Sequence, residues 1–177
     1  MDEQITEITA EEQPRNLRKE RSRKRMRVLI TVLIAAVSCF LLYNAVWFGW
    51  RYVKYGSYTD GMKQTVFSTF FTPRYACTDA DGFDYSVKYP DWLSWTGNLS
   101  VGSPSEDTPF TDGMILWPKL TGGFEYGLIL IEDTIMYQIY ADAAGHALDA
   151  EEEEIVRRHA ENVAALYEKA RAQFPIG

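Results

Sequence analysis

The sequence contains few residues of the types that form covalent or metal cross-links. Its 177 residues include two cysteines, Cys39 and Cys77, and two histidines, His146 and His159. Cys39 lies inside a long apolar run, so Cys77 has no cysteine left to form an intramolecular disulfide with. Burial of Cys77, or a bridge between two copies in a homo-oligomer, are the alternatives. Neither histidine has a second histidine or cysteine at ligand spacing, which argues against a zinc site.

Arrangements typical of catalytic sites are equally scarce. No serine lies in a sequence that resembles a nucleophile elbow. Asp79-Ala80-Asp81 resembles the metal-binding Asp-x-Asp pair of glycosyltransferases, but the chain lacks the alternating strands and helices of a nucleotide-binding sheet. Because Gly82 follows directly, a surface turn is the better interpretation. The glutamates at 151–154 point in different directions on a helix and cannot converge on one cation. We therefore expect a non-enzymatic protein without a cofactor or a metal.

Charge is absent from residues 28–50, which read VLITVLIAAVSCFLLYNAVWFGW. At 1.5 Å per residue this run spans about 34 Å as a helix, enough for a hydrocarbon core of about 30 Å. Tyr43, Trp47 and Trp50 lie toward its end, where aromatic side chains favour a membrane interface. The run is longer than the core of a cleaved signal peptide and its exit is bulky. The sequence therefore predicts a transmembrane signal anchor at 28–50.

Basic residues directly before the run predict its orientation. The segment 15–27 holds eight Lys and Arg residues, whereas only Arg51 and Lys54 closely follow the run. Basic flanks stay on the cytoplasmic side, so we expect a single-pass protein of the plasma membrane with its N-terminus inside. The disulfide-poor exported part favours a bacterial source. The residues that set this topology are Arg21, Arg23, Lys24, Arg25 and Arg27.

The remaining charge is acidic and excludes one class of partner. Residues 51–177 hold 10 basic and 19 acidic residues, a net charge of −9. Binding to a nucleic-acid backbone needs clustered Lys and Arg, so no nucleic-acid partner is expected. Residues 1–27 are predicted to form a disordered cytoplasmic tail, acidic and then basic.

The sequence after the anchor predicts an amphipathic helix and then a sheet. Within the juxtamembrane segment 51–72, apolar residues recur at helical spacing from Met62 to Phe71 behind Asp60, which would be the N-cap. Apolar and polar residues then alternate from Phe83 to Tyr89, a pattern typical of a half-buried strand. The shorter strands are expected at 75–78, 99–101 and 114–117. The run 124–131 is apolar on both faces and predicts a covered strand that turns at 132–133 into a partner at 135–140.

A long helix is expected at the end of the chain. Asp149 is its predicted N-cap, and the acidic residues after it suit the positive end of a helix dipole. An apolar stripe runs through it and consists of Ile155, His159, Val163, Leu166, Tyr167, Ala170 and Phe174. Residues 73–177 therefore predict an extracytoplasmic α+β domain, an antiparallel sheet of about five strands packed against a long C-terminal helix.

Exposed aromatic residues are the best candidates for a binding surface. Trp92, Trp95, Phe110 and Trp117 lie in or near predicted loops and short strands, where they could contact a partner or stack on sugar rings. Packing at the sheet edge or against lipid headgroups is the alternative. We expect a membrane-anchored binding or assembly domain for a membrane or exported protein partner. The alternative function is a module that binds a glycan or another small ligand through its tryptophans.

Overall fold

The chain begins with one long helix. The computed structural model describes the backbone of residues 12–104 and 111–176, with side chains from residue 18 onward. Helix α1 runs from Glu12 to Gly56, and within the described residues its part Arg18–Gly56 is long and apolar enough to cross a membrane. The segment 12–27, expected to be disordered, is helical instead, because Glu, Lys and Arg favour helices. Residues 1–11 of the expected tail lie outside the described part.

The chain divides between Phe48 and Gly49 into two compact units. In the described residues the first unit is the earlier part of α1, and the side chains from Val28 to Leu42 are exposed along it. A helix that is apolar all round and uncovered by protein has the surface of a membrane-spanning helix. The second unit contains the last turns of α1 and the remaining elements.

The second unit is an α+β domain built on a seven-stranded antiparallel sheet. The strands pair in sequence order, so each strand lies beside the next one in the chain. Their bounds are β1 Lys63–Gln64, β2 Arg74–Thr78, β3 Asp84–Lys88, β4 Asn98–Gly102, β5 Gly113–Pro118, β6 Phe124–Glu132 and β7 Ile135–Ala141. The antiparallel sheet and the α+β class are as predicted, but the sheet has seven strands rather than about five. The predicted hairpin between β6 and β7 closes through Asp133 and Thr134, both with positive φ, as a two-residue turn requires.

The predicted amphipathic helix in 51–72 is absent from the structure. Helix α1 continues to Gly56, and Lys63–Gln64 form β1, which pairs with β2. The rest of the segment is a loop, because side-chain oxygens bind backbone N–H groups that a helix would use. Ser68 Oγ accepts from the Arg74 N–H at 3.0 Å, and Thr69 Oγ1 accepts from the Thr72 N–H at 2.9 Å.

One face of the sheet carries the core. Alternate residues of β3 to β7 point to this face, and the apolar stripe of the last helix packs on it. Its fully buried members include Val87, Leu99, Leu116, Leu130 and Leu166. The other face of β6 was expected to be covered as well. Instead, Ile129 and Ile131 lie half-buried on the opposite face of the sheet from the helices.

The long terminal helix is divided in two. Helix α2 runs from Glu153 to Arg158 and helix α3 from Ala160 to Gln173, with a break at His159. Asp149 is not the N-cap, because its carboxylate accepts from the Glu151 N–H within a turn that precedes α2. The predicted apolar stripe is confirmed at Val163, Leu166, Tyr167, Ala170 and Phe174, which are all buried.

Candidate functional site

The face of the sheet opposite the helices, here called the outer face, carries one of the predicted contact residues, Trp117. Strand register places Ser86 beside Ser100 and Ser100 beside Ile115 on this face. The hydroxyls of Ser86 and Ser100 are 2.7 Å apart and hydrogen-bonded. The outer face is therefore polar across β3 and β4. Across β5 to β7 it is mainly apolar, with Ile115, Trp117, Ile129, Ile131, Met136 and Tyr140, although Glu125 and Gln138 share this face.

Trp117 and Tyr140 form an aromatic pair at the centre of this apolar half. The Trp117 indole lies over Gly127, since a Cβ atom built at residue 127 would be 2.7 Å from two indole carbons. Only glycine at this position leaves room for the ring. The Tyr140 ring lies beside the indole, with centroids 6.1 Å apart and planes inclined by 38°. Tyr140 is 62% exposed, so the pair presents one ring to the surroundings.

Two shallow depressions follow the two halves of the outer face. The one beside Trp117 measures about 120 Å³, and Gln138 is the polar side chain that lines it. The other, over β2 to β6, is more open, measures about 540 Å³ and is lined in part by Thr78, Asp84 and the serine pair. An enclosed small-molecule site is usually a cleft of several hundred Å³ that surrounds its ligand. An open surface of aliphatic and aromatic side chains is instead typical of a protein interface.

The predicted tryptophans do not form a single site. Trp92 and Trp95 lie in the loop between β3 and β4 and are 44% and 36% exposed. The Trp95 ring contacts the Trp50 ring, with centroids 5.0 Å apart. Trp117 belongs to the outer face, so the structure separates it from the other two. Phe110 lies outside the described residues.

The Asp79 and Asp81 pair is occupied by a lysine. Lys169 Nζ, from α3, donates to Asp79 Oδ2 at 2.8 Å and also to Asp81. The Lys169 hydrogen bond is the main cause that lowers the pKa of Asp79 to about 2. Burial and the hydrogen bond to Asp79 raise the pKa of Tyr85 to about 12. The ammonium takes the place between the carboxylates that a metal would need, so this turn is a structural ion-pair cluster.

Asp112 was missed by sequence reasoning and is the one buried carboxylate in the part of the chain that the structure describes. It is only 7% exposed and accepts from the Ile131 N–H and from Asn162 Nδ2, both at 2.8 Å. His159 Nδ1 lies 2.8 Å from Asp112 Oδ2, the oxygen that also accepts from Asn162. His159, expected to pack on the apolar stripe, therefore also joins the break between α2 and α3 to β5. Sequence patterns carry little signal for Asp112, because its partners His159 and Asn162 lie about 50 positions away.

Cys77 lies on the core side of β2 and is half-buried. Burial is the main cause that raises the pKa of its thiol, followed by the charges of Asp79 and Asp84. Such a thiol has little thiolate at neutral pH and is therefore poorly nucleophilic. Within residues 18–104 and 111–176, no group of three or more His, Cys, Asp or Glu side chains is placed to hold a metal ion.

Comparison of the chain with protein-family models, with curated proteins and with solved structures finds no match. Any functional proposal therefore depends on the surfaces described above.

Proposed function

We propose that this chain is a non-enzymatic, single-pass membrane protein whose α+β domain binds a protein partner on the extracytoplasmic side of a bacterial plasma membrane. The long apolar helix supports the anchor, and the basic residues before it support a cytoplasmic N-terminus. The partner would be another membrane protein or an exported protein. A second copy of this chain is itself a membrane protein and is therefore included among these partners.

The observation that carries this proposal is the apolar half of the outer face. Met136 and Tyr140 are exposed on β7, near Ile129 of the neighbouring strand β6, and the Tyr140 ring contacts Trp117 of β5. Burial of such a patch by a partner is favourable by roughly 25 cal/mol per Å² of apolar surface removed from water. Strand β7 is also the last strand of the sheet. Its edge is paired with residues 146–148 from Tyr140 onward, so an extended segment of a partner could pair only with the part of the edge before Tyr140.

The test is site-specific photo-crosslinking of the full chain in cells. A photoreactive phenylalanine analogue at position 140 should form an adduct with one defined protein, identified by mass spectrometry. The same analogue at Glu168, exposed on α3 on the opposite side of the sheet, is the matched control and should not form this adduct. Trp117→Ala should remove the adduct at position 140. A folded, membrane-inserted protein without any adduct from position 140 would overturn the proposal.

A glycan is the second candidate ligand, and the pairing of Trp117 with Tyr140 favours it. Flat aromatic rings stack on sugar rings, and the serine pair and Gln138 could supply hydrogen bonds nearby. Soluble cell-wall glycan fragments should then change the tryptophan fluorescence of the full chain in nanodiscs. Trp117→Phe should reduce this response and Trp92→Phe should not. A fluorescence unchanged at millimolar fragment would remove this candidate.

A further inference from the structure

A second exposed apolar surface lies on two loops of the domain and is separate from the outer face. The first loop joins β1 to β2 and the second joins β3 to β4. Their exposed large apolar side chains are Val66, Phe67, Phe70, Phe71, Trp92 and Leu93, here called the aromatic ledge. The Phe71 and Trp92 rings lie 6.3 Å apart and join the two loops into one surface.

Hydrogen bonds and ring contacts hold both loops against the last turns of α1. Arg51 is fully buried, and its guanidinium donates to the carbonyl oxygens of Phe71 at 2.7 Å and Phe70 at 2.6 Å. The second loop is held by Trp95, whose ring contacts the Trp50 ring. Trp50 is the last residue of the apolar run and Arg51 follows it directly. The aromatic ledge is therefore held beside the residues at which the apolar run ends.

The composition of the aromatic ledge suits the bilayer interface. Phe67 is 79% exposed, and Trp, Phe and Leu are the side chains that interfacial segments bury at the boundary between lipid headgroups and acyl chains. Lys63 and Arg74 are exposed at the base of the first loop, where cations can meet anionic headgroups. Leu93 is exposed and has a φ of 67°, a left-handed conformation that is unfavourable for leucine. Insertion of its side chain into lipid would offset this strain.

From these observations we infer that the aromatic ledge inserts into the outer leaflet of the membrane and holds the domain against the bilayer surface. The domain then has a fixed orientation, with the β6–β7 turn pointing away from the membrane. Strand register supports this direction, since the turn lies at the end of the sheet opposite the β3–β4 loop. The inference rests on the membrane anchor proposed above, and its test separates the two.

The experiment measures the depth of single fluorescent labels on the full chain in vesicles of phosphatidylethanolamine and phosphatidylglycerol. The variant Phe67→Cys, in a background with Cys39→Ser and Cys77→Ser, receives an environment-sensitive nitrobenzoxadiazole label. Lipids with a nitroxide near the headgroup end of the acyl chain serve as shallow quenchers, and lipids with a nitroxide near the far end of the chain serve as deep quenchers. The label at position 67 should shift its emission to the blue and lose most of its fluorescence. Phe71→Cys should behave in the same way.

Two further labels are the controls. Ile135 is as exposed as Phe71, at 55%, but lies at the opposite end of the sheet, so Ile135→Cys should not be quenched. The native Cys39, labelled in the Cys77→Ser variant, lies in the apolar run and reports the anchor itself. Quenching at Cys39 but not at position 67 would overturn the aromatic ledge and leave the anchor intact. Absence of quenching from deep and shallow quenchers at Cys39 would overturn the membrane anchor.

A protein that covers the aromatic ledge would give a different result. The purified chain in vesicles would then show unquenched, water-exposed labels at both position 67 and position 71, against the inference. Circular dichroism of each labelled variant checks the fold. The fold should be retained because the Phe67 and Phe71 side chains are both more than half exposed.

Discussion

The hydroxyl oxygen of Tyr55 accepts a hydrogen bond from the backbone N–H of Gly97 at 2.7 Å. Tyr55 belongs to the last turn of α1, and Gly97 directly precedes β4. Burial raises the pKa of Tyr55, so the hydroxyl stays neutral at physiological pH. This bond joins the end of the helix to the sheet within the second unit.

Replacement of Tyr55 by phenylalanine should destabilise the domain. The Gly97 N–H is buried and would lose its acceptor, which costs about 1–3 kcal/mol of the free energy of unfolding. Urea unfolding of the full chain in detergent, followed by circular dichroism, measures this loss. Tyr140→Phe removes a hydroxyl from an exposed ring and should leave the midpoint unchanged. Equal midpoints for the two variants would contradict a stabilising role for this hydrogen bond.

A side chain at residue 97 should be tolerated poorly. A Cβ atom there would lie 2.2 Å from the Lys88 carbonyl oxygen, closer than any real contact allows. Gly97→Ala should therefore cost about 1–3 kcal/mol or more through backbone displacement. Gly102→Ala, at the other end of β4, is the matched control because its Cβ would meet neighbours only at 3.9 Å. A Gly97→Ala protein as stable as the Gly102→Ala protein would show that residue 97 does not lie this close to the Lys88 carbonyl oxygen.

The ion pair of Lys169 with Asp79 should make stability depend on pH in the acid range. The pKa of Asp79 is lowered from 3.8 to about 2, so its contribution is complete above about pH 4 and is lost as the pH falls toward 2. Lys169→Met should make the loss of stability between pH 4 and 2 shallower. Lys119→Met, at an exposed pair with Glu125, should leave that slope unchanged. Urea midpoints at a series of pH values give both slopes, and parallel curves for wild type and Lys169→Met would refute the assignment.

Asp112 should stabilise the packing of α3 on the sheet. Asp112→Ala would leave the Ile131 N–H without its acceptor, at about 1–3 kcal/mol, whereas the amide of the exposed Asn162 could bond to water instead. Asp133→Ala is the control from the exposed β6–β7 turn, although its φ of 49° adds a small cost of its own. The midpoint temperature of thermal unfolding should therefore decrease clearly more for Asp112→Ala than for Asp133→Ala. A decrease no larger than that of the control would mean that the three contacts contribute little.

Local sequence patterns predicted most of the strands. The alternation from Phe83 to Tyr89 gave β3, and the apolar run from 124 gave β6 together with its hairpin partner. These patterns depend on residues two or three positions apart, which a single strand or hairpin satisfies by itself. The same approach was wrong for residues 62–71, where helical spacing of apolar residues occurs in the short strand β1 and the loop after it. Spacing shows which side chains share a face, but not whether anything packs on that face.

The candidate surfaces were only partly accessible to sequence reasoning. The sequence predicts Trp92, Trp95 and Trp117 as contact residues, but their division between a loop and the outer face follows from strand register. Gly127, which seats the Trp117 ring, and Arg51, which holds the first loop of the aromatic ledge, carried no signal of their own. Each acts through a residue of another element, 10 positions away for Trp117 and 19 and 20 for the carbonyls of Phe70 and Phe71.

By itself, the sequence determined the apolar run, the basic segment before it, the order of most strands and the apolar stripe of the last helix. All of these follow from composition or from short-range periodicity. The tertiary structure alone decided which sheet face the helices cover, and so which apolar side chains remain exposed. It also decided that Lys169 fills the Asp79 and Asp81 pair from 90 residues away. The physical reason is that burial and ion pairing depend on contacts between distant segments, which no local pattern encodes.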